Sequence, residues 1–161
     1  MSNPHHLHTD LFTTIVQHTP LISIDLIIRN HHGEVLLGKR LNAPAKGFWF
    51  TPGGRIYKDE KMADAFRRIA HDELGVSASL SDASFIGTFE HFYEDSVFGD
   101  HITTHYVVLA YTLHTSTLNL QNLSFINDQH DEYQWISVED LINDQTVHTH
   151  VKWYFTNASV S

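Results

Sequence analysis

The chain has 161 residues, 42% hydrophobic and 18% charged, the balance of one ordinary soluble globular domain large enough for a full core. A formal net charge of −9 argues against non-specific nucleic-acid binding, which rests on clustered Lys and Arg. The absence of cysteine excludes disulfides and thiolate metal sites and fits a reducing cytosol.

No internal repeat or linker interrupts the chain, so residues 1–161 are expected to form a single domain, with residues 1–20 as an N-terminal segment. That segment, beginning MSNPHHLHTD, lacks the charged-then-apolar order of a signal peptide. The run LISIDLII is broken by Asp25 and falls far short of a membrane span. A cytoplasmic protein that does not enter membranes is the expectation. His5, His6, His8, His148 and His150 fall in polar terminal or loop segments and are read as having no functional role.

Residues 21–30 alternate, with Ile22, Ile24, Leu26 and Ile28 facing one way and Ser23 and Asp25 the other, the pattern of a strand with one polar face. NHHGE is a turn, and VLLGKR returns as a hairpin partner. A loop rich in Gly, Pro and charge then leads to a helix over roughly 60–74, with Asp59 as its cap and Gly75 as its left-handed stop. Aromatic and β-branched strands follow at 84–95 and 101–115. After the polar loop INDQHD come a short strand at 132–137, a helical stretch capped by Ser137, and a final helix from about Val147 to Asn157. This order predicts an α/β (α+β) domain in which a mixed sheet is sandwiched between helices.

The helix at 60–74 carries an anomaly. At about 100° per residue, Met62, Phe66, Ile69 and Ala70 form one apolar stripe, and Glu73 projects close to its centre. A carboxylate taken out of water requires a positive partner, either a divalent cation or a buried arginine such as Arg68.

Gly54, Glu60, Arg68, Asp72, Glu73, Leu74, Gly75 and Val76 stand at the spacing of the Nudix box, G-x5-E-x7-R-E-U-x-E-E-x-G-U, where U is bulky and apolar. The chain resembles the Nudix hydrolases. The segments LLGKR, GFWFTPGGR, EHFYED, THYVVL and DQHDEYQW resemble, more narrowly, the GDP-mannose mannosyl hydrolases. Ile69 departs from the box by replacing its first Glu, and Asp72 replaces another. The narrower group also departs from the full box and is understood to work with one Mg²⁺.

The resemblance implies Mg²⁺, with Mn²⁺ as a substitute, held by Glu73, the backbone carbonyl of Gly53 and the side chain of Gln129. It implies hydrolysis of a GDP-sugar to GDP and free hexose by water attack at the anomeric carbon with inversion, His130 being the general base. Arg40 and Arg55 would stabilise the leaving diphosphate if their strand and loop converge. Asp25 accepts from sugar hydroxyls or orients Lys39, or else simply pairs with Lys39 or Arg40. Tyr106 donates to a phosphate oxygen or finds a backbone partner, and His91 lines the site. A homodimer is implied, its N-terminal segment reaching the partner subunit and Phe12 touching guanine. Glu60 and Arg68 are expected to brace the loop. The rival readings are a conventional Nudix pyrophosphatase cutting a P–O bond and a non-catalytic domain that senses a nucleotide.

Overall fold

A computed structural model describes residues 6–118 and 130–156. Strand β1 (Leu21–Arg29) lies at the centre of a mixed sheet, its β-branched residues suiting a pleated backbone packed on both sides. It runs parallel to β6 (Thr104–His114), in register from Leu21 against Tyr106 to Arg29 against His114. It pairs antiparallel with β2 (Val35–Arg40) and with the short β4 (Gly53–Arg55). Both β3 (Trp49–Phe50) and β7 (His130–Ile136) join β2, while β5 (Ser84–Tyr93) continues the sheet beyond β6.

Helix α2 (Met62–Leu74) covers one face, where Ile24, Leu26 and Ile28 meet Phe66, Ile69 and Leu74. On the other face Ile27, Val35 and Leu37 meet Leu141 of α3 (Val138–Asn143) and Val151 of α4 (Thr149–Trp153). The expected sheet between helices is the observed architecture. Ser23 and Asp25, expected on the polar face of β1, are only 5% and 6% exposed: both line a cavity, and the Tyr154 and Thr51 hydroxyls donate to Asp25 there. Ile22, expected to share the core with Ile24, is 50% exposed and lies outside it.

Helix α1 (Thr9–His18) packs on its own chain, where Val16 joins Leu21 and Ile102, and Phe12 contacts Phe98 edge-on. Asp59 does not cap α2. It sits in a turn with φ 64° and pairs with Lys58, and Lys61 occupies the cap position without a side-chain bond. Gly75 ends the helix at φ 67° as expected, and Ser137 caps α3 by accepting from the Asp140 N–H. The last helix is shorter than expected. The strand after the polar loop begins two residues early, which puts the His130 backbone in the sheet opposite Arg40. Among the described residues no helix is long and apolar enough to cross a membrane.

Candidate active site

Two connected cavities open where β1, β2, β4 and β6 converge. The larger, a cleft, is about 340 Å³ and the smaller, a chamber, about 90 Å³, and Arg40, Gly53, Arg55 and Tyr106 line both. Phe12 and Glu73 belong to the cleft, while Asp25 and His91 belong to the chamber. The strand and loop that carry Arg40 and Arg55 thus converge. Lys39 lies on neither wall, since alternation along β2 turns it away from its neighbour Arg40.

The loop between β4 and α2 is braced by Arg68. Its Nε donates to Glu60 Oε1 at 2.7 Å, and its Nη2 donates to Glu60 Oε2 and to the Arg55 carbonyl, both at 2.9 Å. Glu60 also accepts from the Tyr57 N–H, so one ion pair ties the loop to the helix at both ends. The Arg55 guanidinium lies over the rings of Phe12 and Tyr57, 4.9 and 4.7 Å from their centroids. Arg40 is held by donating from Nε to the Pro44 carbonyl at 2.9 Å.

Glu73 is buried on the cleft side of α2, with 9% exposure, as its place in the apolar stripe predicts. Burial, followed by the Glu73 charge, pushes the Tyr133 phenol up to about 12, which places β7 beside this carboxylate. Ile69, one turn earlier, is 1% exposed, and a Cβ added at Gly54 would stand 3.2 Å from it. Hydrocarbon therefore fills the position where the Nudix box usually has a carboxylate. At Gly53 an added Cβ would press on the Asp25 carboxylate and come within 2.7 Å of the Ile24 carbonyl oxygen, so only glycine fits there.

Among the described residues no three His, Asp or Glu side chains cluster as a metal site. Glu73 and the Gly53 backbone nevertheless share the cleft and offer only hard oxygen donors, a set that suits Mg²⁺ or Mn²⁺ with water and substrate oxygens completing the shell. Gln129, the third expected ligand, lies outside the described residues, and so does the side chain of His130.

In the chamber Asp25 neither orients Lys39 nor forms an ion pair with Arg40. It accepts from the Tyr154 hydroxyl and from Thr51 Oγ1. Burial raises its pKa from 3.8 to about 6, against the lowering effects of those two bonds and of the Arg40 charge. His91 is 2% exposed and stacks on His150, with ring centroids 4.3 Å apart and planes at 14°. Burial, then the neighbouring His150 and His148, lowers its pKa to about 2, so it is a neutral wall of the chamber. Burial likewise lowers His148 and His150 to about 4 and 3, followed by the nearby charges of Arg40 and of His148 respectively. Burial raises the Tyr106 phenol, while Arg40 and Arg55 oppose the shift, so the hydroxyl is a neutral donor facing two cations.

Tyr154 and Thr51 were not singled out from sequence, and His150, named but given no role, stacks on His91. Tyr154 is 129 residues from Asp25, and the only local signal was an aromatic terminal helix.

A model of the NUDIX domain matches residues 19–156. The low-salt glycan biosynthesis protein Agl8 of Haloferax volcanii is 44% identical over 123 residues, covering 76% of this chain and 74% of that protein. The MutT NUDIX hydrolase of Burkholderia pseudomallei has a similar fold, with a TM-score of 0.69 and 24% identity over 88% of this chain and 100% of that one. The MutT protein of Methanosarcina mazei gives a TM-score of 0.64 and 22% identity, covering 87% of this chain and 94% of the other.

Proposed function

This chain belongs to the Nudix hydrolase family, and from that premise we propose that it hydrolyses a GDP-sugar, GDP-mannose or GDP-glucose, to GDP and free hexose. The observation that carries the reading is the division of the site. Arg40 and Arg55 stand where a cleft meets a smaller polar chamber, the arrangement needed to hold a diphosphate between a nucleoside and a sugar. The printed name of the Haloferax volcanii relative, a glycan biosynthesis protein, also favours a sugar-bearing substrate.

The chain's own residues divide the work. Arg55, stacked between Phe12 and Tyr57, and Arg40, held by Pro44, are preorganised cations for the charge that develops on the departing diphosphate. Tyr106 adds a neutral donor at the same place. Asp25, in the chamber, accepts from sugar hydroxyls, and His91 packs beside it. His130, opposite Arg40 in the register of β7, removes a proton from the attacking water. Glu73, the Gly53 carbonyl and Gln129 are the groups that hold Mg²⁺, which when bound adds charge stabilisation to the diphosphate. Ile69 in place of a box carboxylate favours attack at carbon, because the helix offers one base fewer near phosphorus. The active species is a homodimer in the cytoplasm.

Hydrolysis of GDP-mannose in ¹⁸O-water tests this. Label in the hexose is expected, with inverted anomeric configuration in the first product seen by NMR. Label in a phosphate product shows P–O cleavage and overturns the carbon route. Tight binding without turnover in saturating Mg²⁺ assigns the chain to nucleotide sensing instead.

A further inference from the structure

The two oxygens of the Asp25 carboxylate have different surroundings. Oδ2 accepts from the Tyr154 hydroxyl and, at 3.3 Å, from the Thr51 hydroxyl. Among the described residues no hydrogen bond reaches Oδ1, which lies against Gly53 at the chamber wall, where an added Cβ would overlap it. Oδ1 is open to the chamber rather than sealed from solvent. Its donor comes from whatever fills the chamber, water or a hydroxyl of a bound ligand.

Tyr154 is built to hold its half of this arrangement still. Its ring is 7% exposed and packs edge-on against Phe89 with centroids 4.7 Å apart. Its oxygen lies 3.4 Å from Nε2 of His91, so the ring nitrogen and the carboxylate flank the hydroxyl. His91 stacks on His150, which belongs to the same helix that ends at Tyr154. His150 and Tyr154 therefore come from one short helix and its C-cap, and meet the chamber-lining His91 and Asp25 from β5 and β1.

We propose that Tyr154 is a positioning residue. By occupying Oδ2, with Thr51 as the second donor, it turns Oδ1 of Asp25 into the chamber as the acceptor for a hydroxyl of the bound ligand. The chamber then selects polyhydroxylated ligands over those with an apolar or acceptor-only group at that point, because the latter leave the oxygen unmet. This rests on the nucleotide-sugar reading for the identity of the ligand, and not for the placement of the carboxylate.

Tyr154→Phe keeps the ring and removes only the hydroxyl. Its crystal structure is expected to show the Asp25 carboxylate rotated, with Oδ1 no longer against Gly53. An unrotated carboxylate overturns the inference whatever the enzyme does. With GDP-mannose, Tyr154→Phe is expected to lower kcat/KM about tenfold to a hundredfold, the value of one hydrogen bond to a charged group. In an Asp25→Asn background the same change should cost less than about twofold, since a positioning residue acts through the group it positions. Independent, multiplying losses overturn the inference and mark Tyr154 as structural. Thr51→Val, which removes the other donor to the same oxygen, should show the same dependence on Asp25, and independence there counts against the inference equally. GDP affinity, measured by calorimetry, should be retained in Tyr154→Phe because GDP lacks the hexose that would fill the chamber, and a parallel loss overturns the assignment. If the wild-type protein turns over no GDP-sugar, the proposed function fails, and the crystal structure alone decides the placement of Asp25.

Discussion

Glu60 and Asp25 are both carboxylates largely withdrawn from water, one in the loop ahead of α2 and the other on β1, and the protein satisfies them in opposite ways. Glu60 meets a full positive charge through the paired bonds of Arg68. Asp25 meets neutral hydroxyls on one oxygen, with Arg40 acting only through its field. A charge answered by a charge becomes a strut, as the Arg68 bond to the Arg55 carbonyl shows by extending the brace into the loop. A buried charge answered only by hydroxyls keeps a raised pKa, about 6 for Asp25, because burial outweighs the lowering effect of the two hydroxyls and of the Arg40 charge. The strut shapes the cleft, and the poised carboxylate faces the chamber. A third carboxylate, Glu73, lies on the cleft side of α2.

Separating these three is the most direct way to sharpen the contrast. Glu73→Gln preserves volume and removes the charge available to a divalent ion, so turnover should fall by more than about a hundredfold while the unfolding midpoint holds. Unchanged activity and Mg²⁺ dependence would remove Glu73 from the site. Glu60→Gln should do the reverse, lowering stability by about 1.5–3 kcal/mol in denaturant titration, with a smaller loss of turnover than Glu73→Gln. A catalytic loss equal to that of Glu73→Gln would show that Glu60 is more than a brace.

A pH dependence of stability is also expected. His91, His148 and His150 have folded values near 2, 4 and 3, below the ordinary 6.5, so only the unfolded chain takes up their protons as pH falls below 6.5. Stability is therefore lost on acidification through that range. Asp25 works the other way, since its value is raised from 3.8 to about 6 and its contribution to stability grows as pH falls from 6 toward 3.8. Three groups oppose one, and the net change on going from pH 7 to pH 5 should be a loss. His150→Phe should flatten that slope. An unaltered slope would remove the stack as its source.

Much of this architecture was legible from local pattern. The period-two run of β1, the amphipathic stripe of α2, Gly75 with its left-handed φ and Ser137 at its cap all act over a few residues, where steric and hydrogen-bonding preferences are strong enough to be read directly. The spacing from Gly54 to Val76 likewise announced the family, and Glu73 in the apolar stripe announced a buried charge. Local reading failed where the outcome depended on what else occupied the space. Asp59 looked like a cap, but the chain turned with positive φ before the helix began. Ser23 and Asp25 read as the polar face of β1, but both are buried at a cavity wall where Asp25 meets Tyr154. His148 and His150 looked functionless in a polar segment, yet His150 is buried and stacks on His91, with the half-buried His148 next to it. Alternation and spacing report which way a side chain points, over distances the backbone itself controls. Whether water, a cation or another helix waits there is decided by packing between segments more than a hundred residues apart, and Tyr154 reached Asp25 by that route.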